Sequence, residues 1–350
     1  MRALVFADLQ ATDGHERCFG DPAKLLQIHR LERFFDLLKE IYERERCDAL
    51  WDLGDTTDDR TAIPVPVIDL LCERLEPFTG KWNLKLVGNH EQFLRSPEIN
   101  AGKMFRRFFH VVEDCEALTI EKVNILAVSY HDDERVIVDF LRRQRARGLS
   151  SGLLGHFQVI GAQLPGGLSA TGVGLRELDF VNFCLLGHVH RPQTLVSGPE
   201  GQPVHYVGSP FEQNWGESGE AKRVGIIDLL PNRQTLRWVP LSGFPTYAQV
   251  GFEEFTRVVR ADSEDRFKVV LRSVEETERF YAHPLADRAE PVYDFVVAAE
   301  AAPAADTGEV IHSKQSIMRR YLELNPPQNQ GITVGIEQML AFGEQISTGT

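Results

Sequence analysis

Five short segments of this chain carry side chains able to hold metal ions, and each follows an apolar run. They are Asp8-Leu9-Gln10, Gly54-Asp55-Thr56-Thr57-Asp58, Gly88-Asn89-His90-Glu91, Gly155-His156 and Gly187-His188-Val189-His190. The runs before them, Ala3 to Ala7, Ala49 to Leu53, Leu84 to Val87, Leu153-Leu154 and Phe183 to Leu186, read as buried strands. Strand ends at one rim of a sheet can deliver carboxylates, imidazoles and an amide from distant sequence onto two cations a few ångströms apart. That constellation is what two-metal hydrolysis requires.

In this order, Asp, Gly-Asp-x-x-Asp, Gly-Asn-His-Glu, a lone His and Gly-His-x-His, the motifs resemble those of the calcineurin-like metallophosphoesterases over roughly the first two thirds of the chain. A narrower resemblance follows in Tyr206-Val207-Gly208-Ser209-Pro210-Phe211 and Asn214-Trp215-Gly216-Glu217. These segments look like the corresponding stretch of SbcD-type DNA nuclease subunits, from bacteria or phage. The resemblance implies a two-sheet αββα sandwich and two divalent cations, with Mn²⁺ first and Fe or Mg²⁺ as alternatives. It also implies DNA as substrate and an SbcC-type, SMC-like ATPase as partner. No G-x-x-x-x-G-K-[ST] motif occurs in the chain, so ATP hydrolysis would have to come from that partner. A second copy of the chain is kept open as a further partner.

Residue chemistry gives each position a task. Gly54 permits a tight bend, and the Asp55 carboxylate has two oxygens, enough to bridge two cations, as the family implies; alone it would read as a turn aspartate. Asp58 can orient a catalytic imidazole or cap a helix. Asn89 offers a hard amide oxygen, and the neighbouring His90 is free to protonate a departing alkoxide. His156, His188 and His190 offer imidazoles, the last two on one side of an extended chain. The family places Asp55, Asn89, His156 and His188 around one cation, and Asp8, residue 10, Asp55 and His190 around the other. Gln10 departs from the pattern, since the first motif normally reads Asp-x-His. Three outcomes follow: Gln10 ligates weakly, water replaces it, or activity is reduced. The other histidines, His15, His29, His110, His131, His205, His283 and His312, match no motif and read as structural.

Composition bounds these readings. With 350 residues, 43% hydrophobic and 25% charged, the chain reads as a soluble globular protein of one large and one smaller domain. No apolar run approaches a membrane span and no leader is evident, so a cytoplasmic location and no membrane partner are expected. Five cysteines without C-x-x-C spacing fit reduced thiols. A net charge of −13 argues against holding nucleic acid by whole-molecule electrostatics, though a basic partner could supply phosphate contacts.

Periodicity predicts helices over 24–46, starting near Asp21-Pro22, over 65–75, over 97–109 and over 132–147. Four strands, 180–186, 204–208, 224–230 and 235–241, are expected to build a second sheet. Residues 1–244 are read as the metallophosphoesterase domain. Residues 245–350 are read as an accessory, capping region, with a helix near 252–259 and strands at 266–271 and 293–297. An Ala/Pro stretch at 298–307 and a helix over 313–324 follow; the helix either docks a partner or packs on the main domain. Two other functions use the same residues: a phosphodiesterase or phosphatase for small substrates, and a scaffold with a degenerate metal site.

Overall fold

A computed structural model describes residues 1–294 except 20, 22, 149–150, 165–167, 197–200 and 232. The apolar runs ahead of the first three motifs become β1 (Arg2–Phe6), β2 (Ala49–Asp52) and β3 (Leu84–Leu86), parallel neighbours joined by β4 (His110–Val112). Helices α1 (Leu26–Arg44) and α2 (Val65–Leu75) are the crossovers between them. Leu31, Phe34, Phe35, Leu38 and Ile41 recur at helical spacing in α1, and they pack with Leu4, Phe6 and Leu50 on the outer face of this sheet. Asp21 lies outside α1, which begins at Leu26 with no side-chain cap on Leu25.

The second sheet contains β5 (Cys115–Ile120), β6 (Val123–Val128), β7 (Ser151–His156), β8 (Phe183–Gly187), β9 (Gln193–Val196) and β10 (Pro203–Tyr206), in the order β5-β6-β7-β8-β10-β9. Its outer face is covered by α3 (Glu134–Ala146), capped by Asp133, whose carboxylate accepts from the Arg135 amide. Between the sheets lies a core of Val5, Trp51, Leu53 and Leu86 from the first and Ile125, Leu154 and Leu185 from the second. Helix, sheet, sheet, helix is thus the layer order, the αββα sandwich expected.

Two expectations need correction, and one hairpin was not foreseen. The strands at 224–230 and 235–241 form the hairpin of β11 (Arg223–Leu230) and β12 (Arg233–Pro240), which joins the first sheet: β11 pairs antiparallel with β1 and covers an edge that would otherwise be open. The helix at 97–109 is a 3-10 turn, Ala101–Arg107. An isolated bridge from Gln92 to Asn100 closes a loop of short turns before it and leaves Asn100 extended, and Gly102 lies so close to Val87 that a Cβ there would approach Cγ2 at 2.6 Å. The β5–β6 hairpin gave no turn signal, because its two-residue turn is Glu121-Lys122, both at positive φ, where Asn-Gly is the usual pair.

Beyond Phe244, β13 (Tyr247–Gly251), β14 (Arg266–Leu271) and β15 (Ala289–Tyr293) form a parallel sheet with α4 (Phe252–Val258) and α5 (Val274–Tyr281). Their own small core centres on Phe255, Val269 and Phe280. The strand expected at 293–297 ends at Tyr293, and α5 was not foreseen although Ser273 caps it by accepting from the Glu276 amide. Tyr247 ties this part to the first sheet's helices, its hydroxyl accepting from buried Arg30 at 3.2 Å. Residues 295–297, the Ala/Pro stretch and the helix at 313–324 lie outside the described residues. Among the described residues no helix is long and apolar enough to cross a membrane. All five cysteines are free thiols.

Candidate metal centre

The carboxyl ends of β1, β2 and β3 in one sheet meet those of β7 and β8 in the other. Their turns are tight: Asp8, Gln10, Asp55 and His188 all adopt positive φ, at 53°, 46°, 55° and 84°. Left-handed backbone at non-glycine residues costs free energy, so its concentration at one rim marks a site where side-chain placement dominates. Two glycines are required by close approach. At Gly54, with φ 101°, a Cβ would lie 2.5 Å from His156 Nδ1; at Gly88 it would collide with the Asp55 carboxylate.

Four expected ligands converge. Ligating atoms of Asp55, His156 and His188 all lie within 4.8 Å of one another. Asn89 Oδ1 is 2.7 Å from His188 Nδ1 and 3.3 Å from His156 Nε2, and the latter is 3.3 Å from Asp55 Oδ2. His156 donates from Nδ1 to the Leu53 carbonyl at 2.7 Å, which turns Nε2 towards the cluster. A carboxylate, an amide oxygen and two imidazoles are a suitable donor set for a divalent cation.

The other expected position is built differently. Asp8 is fully buried; its Oδ1 accepts from the His188 amide at 2.8 Å, while Oδ2 makes no hydrogen bond among the described residues. A buried, unpaired carboxylate oxygen suits a cation. Gln10 and His190 do meet, with Nε2 2.9 Å from Nε2, and His190 Nδ1 contacts Glu217 Oε1 at 2.8 Å. Gln10 therefore presents its amide nitrogen to the imidazole where a ligating residue would present a lone pair.

Charge in the cluster is balanced among these groups. Burial opposes protonation of His156, but Asp55 and then Asp8 overcome it and lift the imidazole to about 9. Burial, with His156 beside it, drives His188 down to about 3. Burial would raise the Asp55 carboxyl, yet His156, His90 and His188 outweigh it and hold it well below the carboxylate range. Burial raises Asp8.

His90 stands at the edge of this group, with its side chain 31% exposed. Its amide donates to Asp55 Oδ1 at 2.8 Å, and its Nδ1 lies 2.7 Å from the Asp58 carbonyl and 3.2 Å from the Asp58 carboxylate. The Asp58 hydrogen bond, against a smaller desolvation effect, raises His90 to about 9. Asp58 does not cap α2, whose N-cap is Pro64. The histidines read as structural lie with other partners, His205 with Thr194, His110 with Glu116 and His131 with Asp114.

Several residues of the site carried no assigned role in the sequence. Gln158, two positions past His156, places its amide 3.0 Å from His188 Nε2, and Tyr130 stacks on the His188 ring at 5.5 Å. Beneath the turns, Lys85 is buried between Asp52 and Glu91 at 2.9 and 2.8 Å. The Glu91 carboxylate accepts from Thr56 N at 3.2 Å and Gly88 N at 3.0 Å, clasping the two turns that present Asp55 and Asn89. Glu217 closes the segment Asn214-Trp215-Gly216-Glu217 but carried no role of its own.

Residues 1–192 match the family model described as calcineurin-like phosphoesterase. This chain belongs to the calcineurin-like phosphoesterases, metal-dependent phosphoester hydrolases whose centres use two divalent cations. No curated protein matches it. Among solved structures, a dimetal phosphatase from Danio rerio is 10% identical with a TM-score of 0.45, over 68% of this chain and 95% of that one. An archaeal phosphodiesterase is 11% identical with a TM-score of 0.37, over 69% and 100%. The 5'-nucleotidase precursor from Thermus thermophilus is 14% identical with a TM-score of 0.40, over 69% of this chain and 54% of that one.

Proposed function

We propose that this chain is a DNA nuclease subunit of the SbcD type, dependent on two divalent cations with Mn²⁺ preferred, acting in the cytoplasm with an SMC-like ATPase in DNA repair or recombination. The observation that supports it is the segment 206–217. Its likeness to the SbcD stretch is matched by its place beside the centre, where Ser209 donates its amide to the His190 carbonyl at 3.0 Å and Gln213 donates to the Asp8 carbonyl at 2.7 Å.

Asp55, Asn89, His156 and His188 would hold one cation, and Asp8, Asp55 and His190, with Gln10 as a weak fourth donor, the other. Bound cations supply Lewis acidity that ionises water near neutral pH and offsets charge on phosphoryl oxygens. His90 supplies the acid. Nδ1 is held by Asp58, whose carboxylate favours the charged imidazole, and Nε2 is the nitrogen left to protonate the departing oxygen. Asp58 keeps that imidazole charged and aimed. Residues 245–350 would select substrate and dock the ATPase.

The net charge of −13 favours a second reading, a phosphodiesterase for small substrates. Activity with Mn²⁺ on linear duplex DNA and on bis-p-nitrophenyl phosphate, with and without an SMC-like ATPase, separates them. Metal-dependent DNA cleavage is expected. Hydrolysis of the small diester with DNA left intact under both conditions would establish the second reading.

A further inference from the structure

Three imidazoles face the candidate cations, and each is held from behind by a different chemical group. His156 donates to a backbone carbonyl and His188 meets the Gln158 amide, whereas His190 meets a carboxylate, Glu217, at 2.8 Å. Glu217 is itself built in: its side chain is 1% exposed, and Oε2 accepts from Lys222 Nζ at 2.6 Å and Ser209 Oγ at 2.8 Å. Oε1, the oxygen facing His190, also accepts from Asn214 Nδ2 at 3.1 Å. Lys222, likewise buried, also reaches the His190 carbonyl at 3.3 Å.

The chemistry of this chain of contacts runs in one direction. Glu217 is an acceptor, so His190 donates from Nδ1, and in the neutral ring Nε2 carries the lone pair. The neighbour of that Nε2 is the Gln10 amide nitrogen at 2.9 Å, a donor, which agrees with that assignment. A carboxylate behind an imidazole both fixes the ring and strengthens the opposite nitrogen as a metal donor. The other expected donor at that cation position that is not a carboxylate is Gln10, the weakest of the expected set.

We propose that Glu217, braced by Ser209 and Lys222, is the positioning residue of the cation position formed by Asp8, Gln10, Asp55 and His190, fixing His190 with its Nε2 lone pair towards the metal. This gives the Gly208-Ser209-Pro210 segment and the Glu217 that follows it a purpose in metal affinity at one position. The inference rests on the two-cation reading above.

Calorimetric titration of the metal-free full-length protein with Mn²⁺ tests it, comparing native protein with Glu217→Gln and with Glu217→Gln/Lys222→Met, in which the buried cation is removed along with the buried anion. In either variant that folds, the weaker site should lose ~10–100-fold in affinity while the stronger stays within about two-fold. Parallel loss at both sites, or no loss at either, overturns the assignment. Failure of the native protein to bind Mn²⁺ at all would instead overturn the two-cation reading. In the native metal-free protein, long-range ¹H–¹⁵N correlation spectra, assigned with His190→Gln, should show the Nδ1–H tautomer at His190. An Nε2–H tautomer overturns the proposal whether or not the variants fold.

Discussion

Replacing Lys85 by methionine should destabilise the metal-free protein by ~3–5 kcal/mol, because it removes one partner of a buried ion cluster and leaves the others uncompensated. Lys85 is fully buried, donating to Asp52 Oδ2, to Glu91 Oε1 and to Thr56 Oγ1. Burial opposes charge on its amine, but Asp52 and Glu91 outweigh that and raise its pKa above the usual value. Methionine fills the stem's volume yet leaves two carboxylates, 1% and 0% exposed, without a cation. Total stabilities of folded domains are roughly 5–15 kcal/mol, so the loss is a large share of the whole. Urea unfolding should show a lower midpoint with an unchanged slope. Lys85→Met/Asp52→Asn should recover ~1–2 kcal/mol, since one buried charge is gone, the amide oxygen can accept from Gly54 N as Oδ1 does, and the amide nitrogen can donate to Thr56 Oγ1, which donates to the carboxylate in the native protein. The damage should also reach the centre, because Glu91 clasps the turns of Asp55 and Asn89, and Mn²⁺ affinity should fall with stability. A loss below about 1 kcal/mol for Lys85→Met would refute the reasoning, since it would mean that the carboxylates need no cation beside them.

His90→Ala should lower turnover ~10²–10⁴-fold with metal occupancy retained, and loss of the metals would show that His90 is a ligand and not the acid. In the metal-free protein His90 should titrate near 9 by NMR, its charged form present below that pH and lost above it. Asp58→Asn should bring that midpoint down, because the carboxylate is the first cause of the shift; an unmoved midpoint removes Asp58 from its role. Calorimetry with Mn²⁺ should resolve unequal sites in the native protein, and Gln10→His should tighten the weaker one; equal native sites with no gain would show that Gln10 is not limiting.

What could be read from the sequence was what repeats or punctuates. Apolar runs ending in Gly-Asp or Gly-Asn-His gave the strands and their rim, since glycine before a ligand reports a backbone with no room for Cβ, as Gly54 and Gly88 show. Helix α2 is where periodicity placed it, Val65–Leu75. The edge pairing of β11 with β1 could not be read, because strand patterns carry no information on which sheet a strand joins. Nor could the Glu121-Lys122 turn, whose residues are atypical of its conformation. The supporting polar residues were hidden for a related reason: Lys85, Gln158 and Glu217 act through a partner distant in sequence, and each reads alone as a surface side chain. Lys85 stands between two leucines in β3, and there its position could have betrayed it. A charge inside a three-residue strand whose neighbours are all buried must find an opposite charge, and Asp52 at the end of the adjacent parallel strand, in register with it, is the one the pleat brings alongside. The charge that interrupts the apolar run of β3 is thus what anchors the turns on either side of it, so the site's support is written in the same strand ends as the site itself.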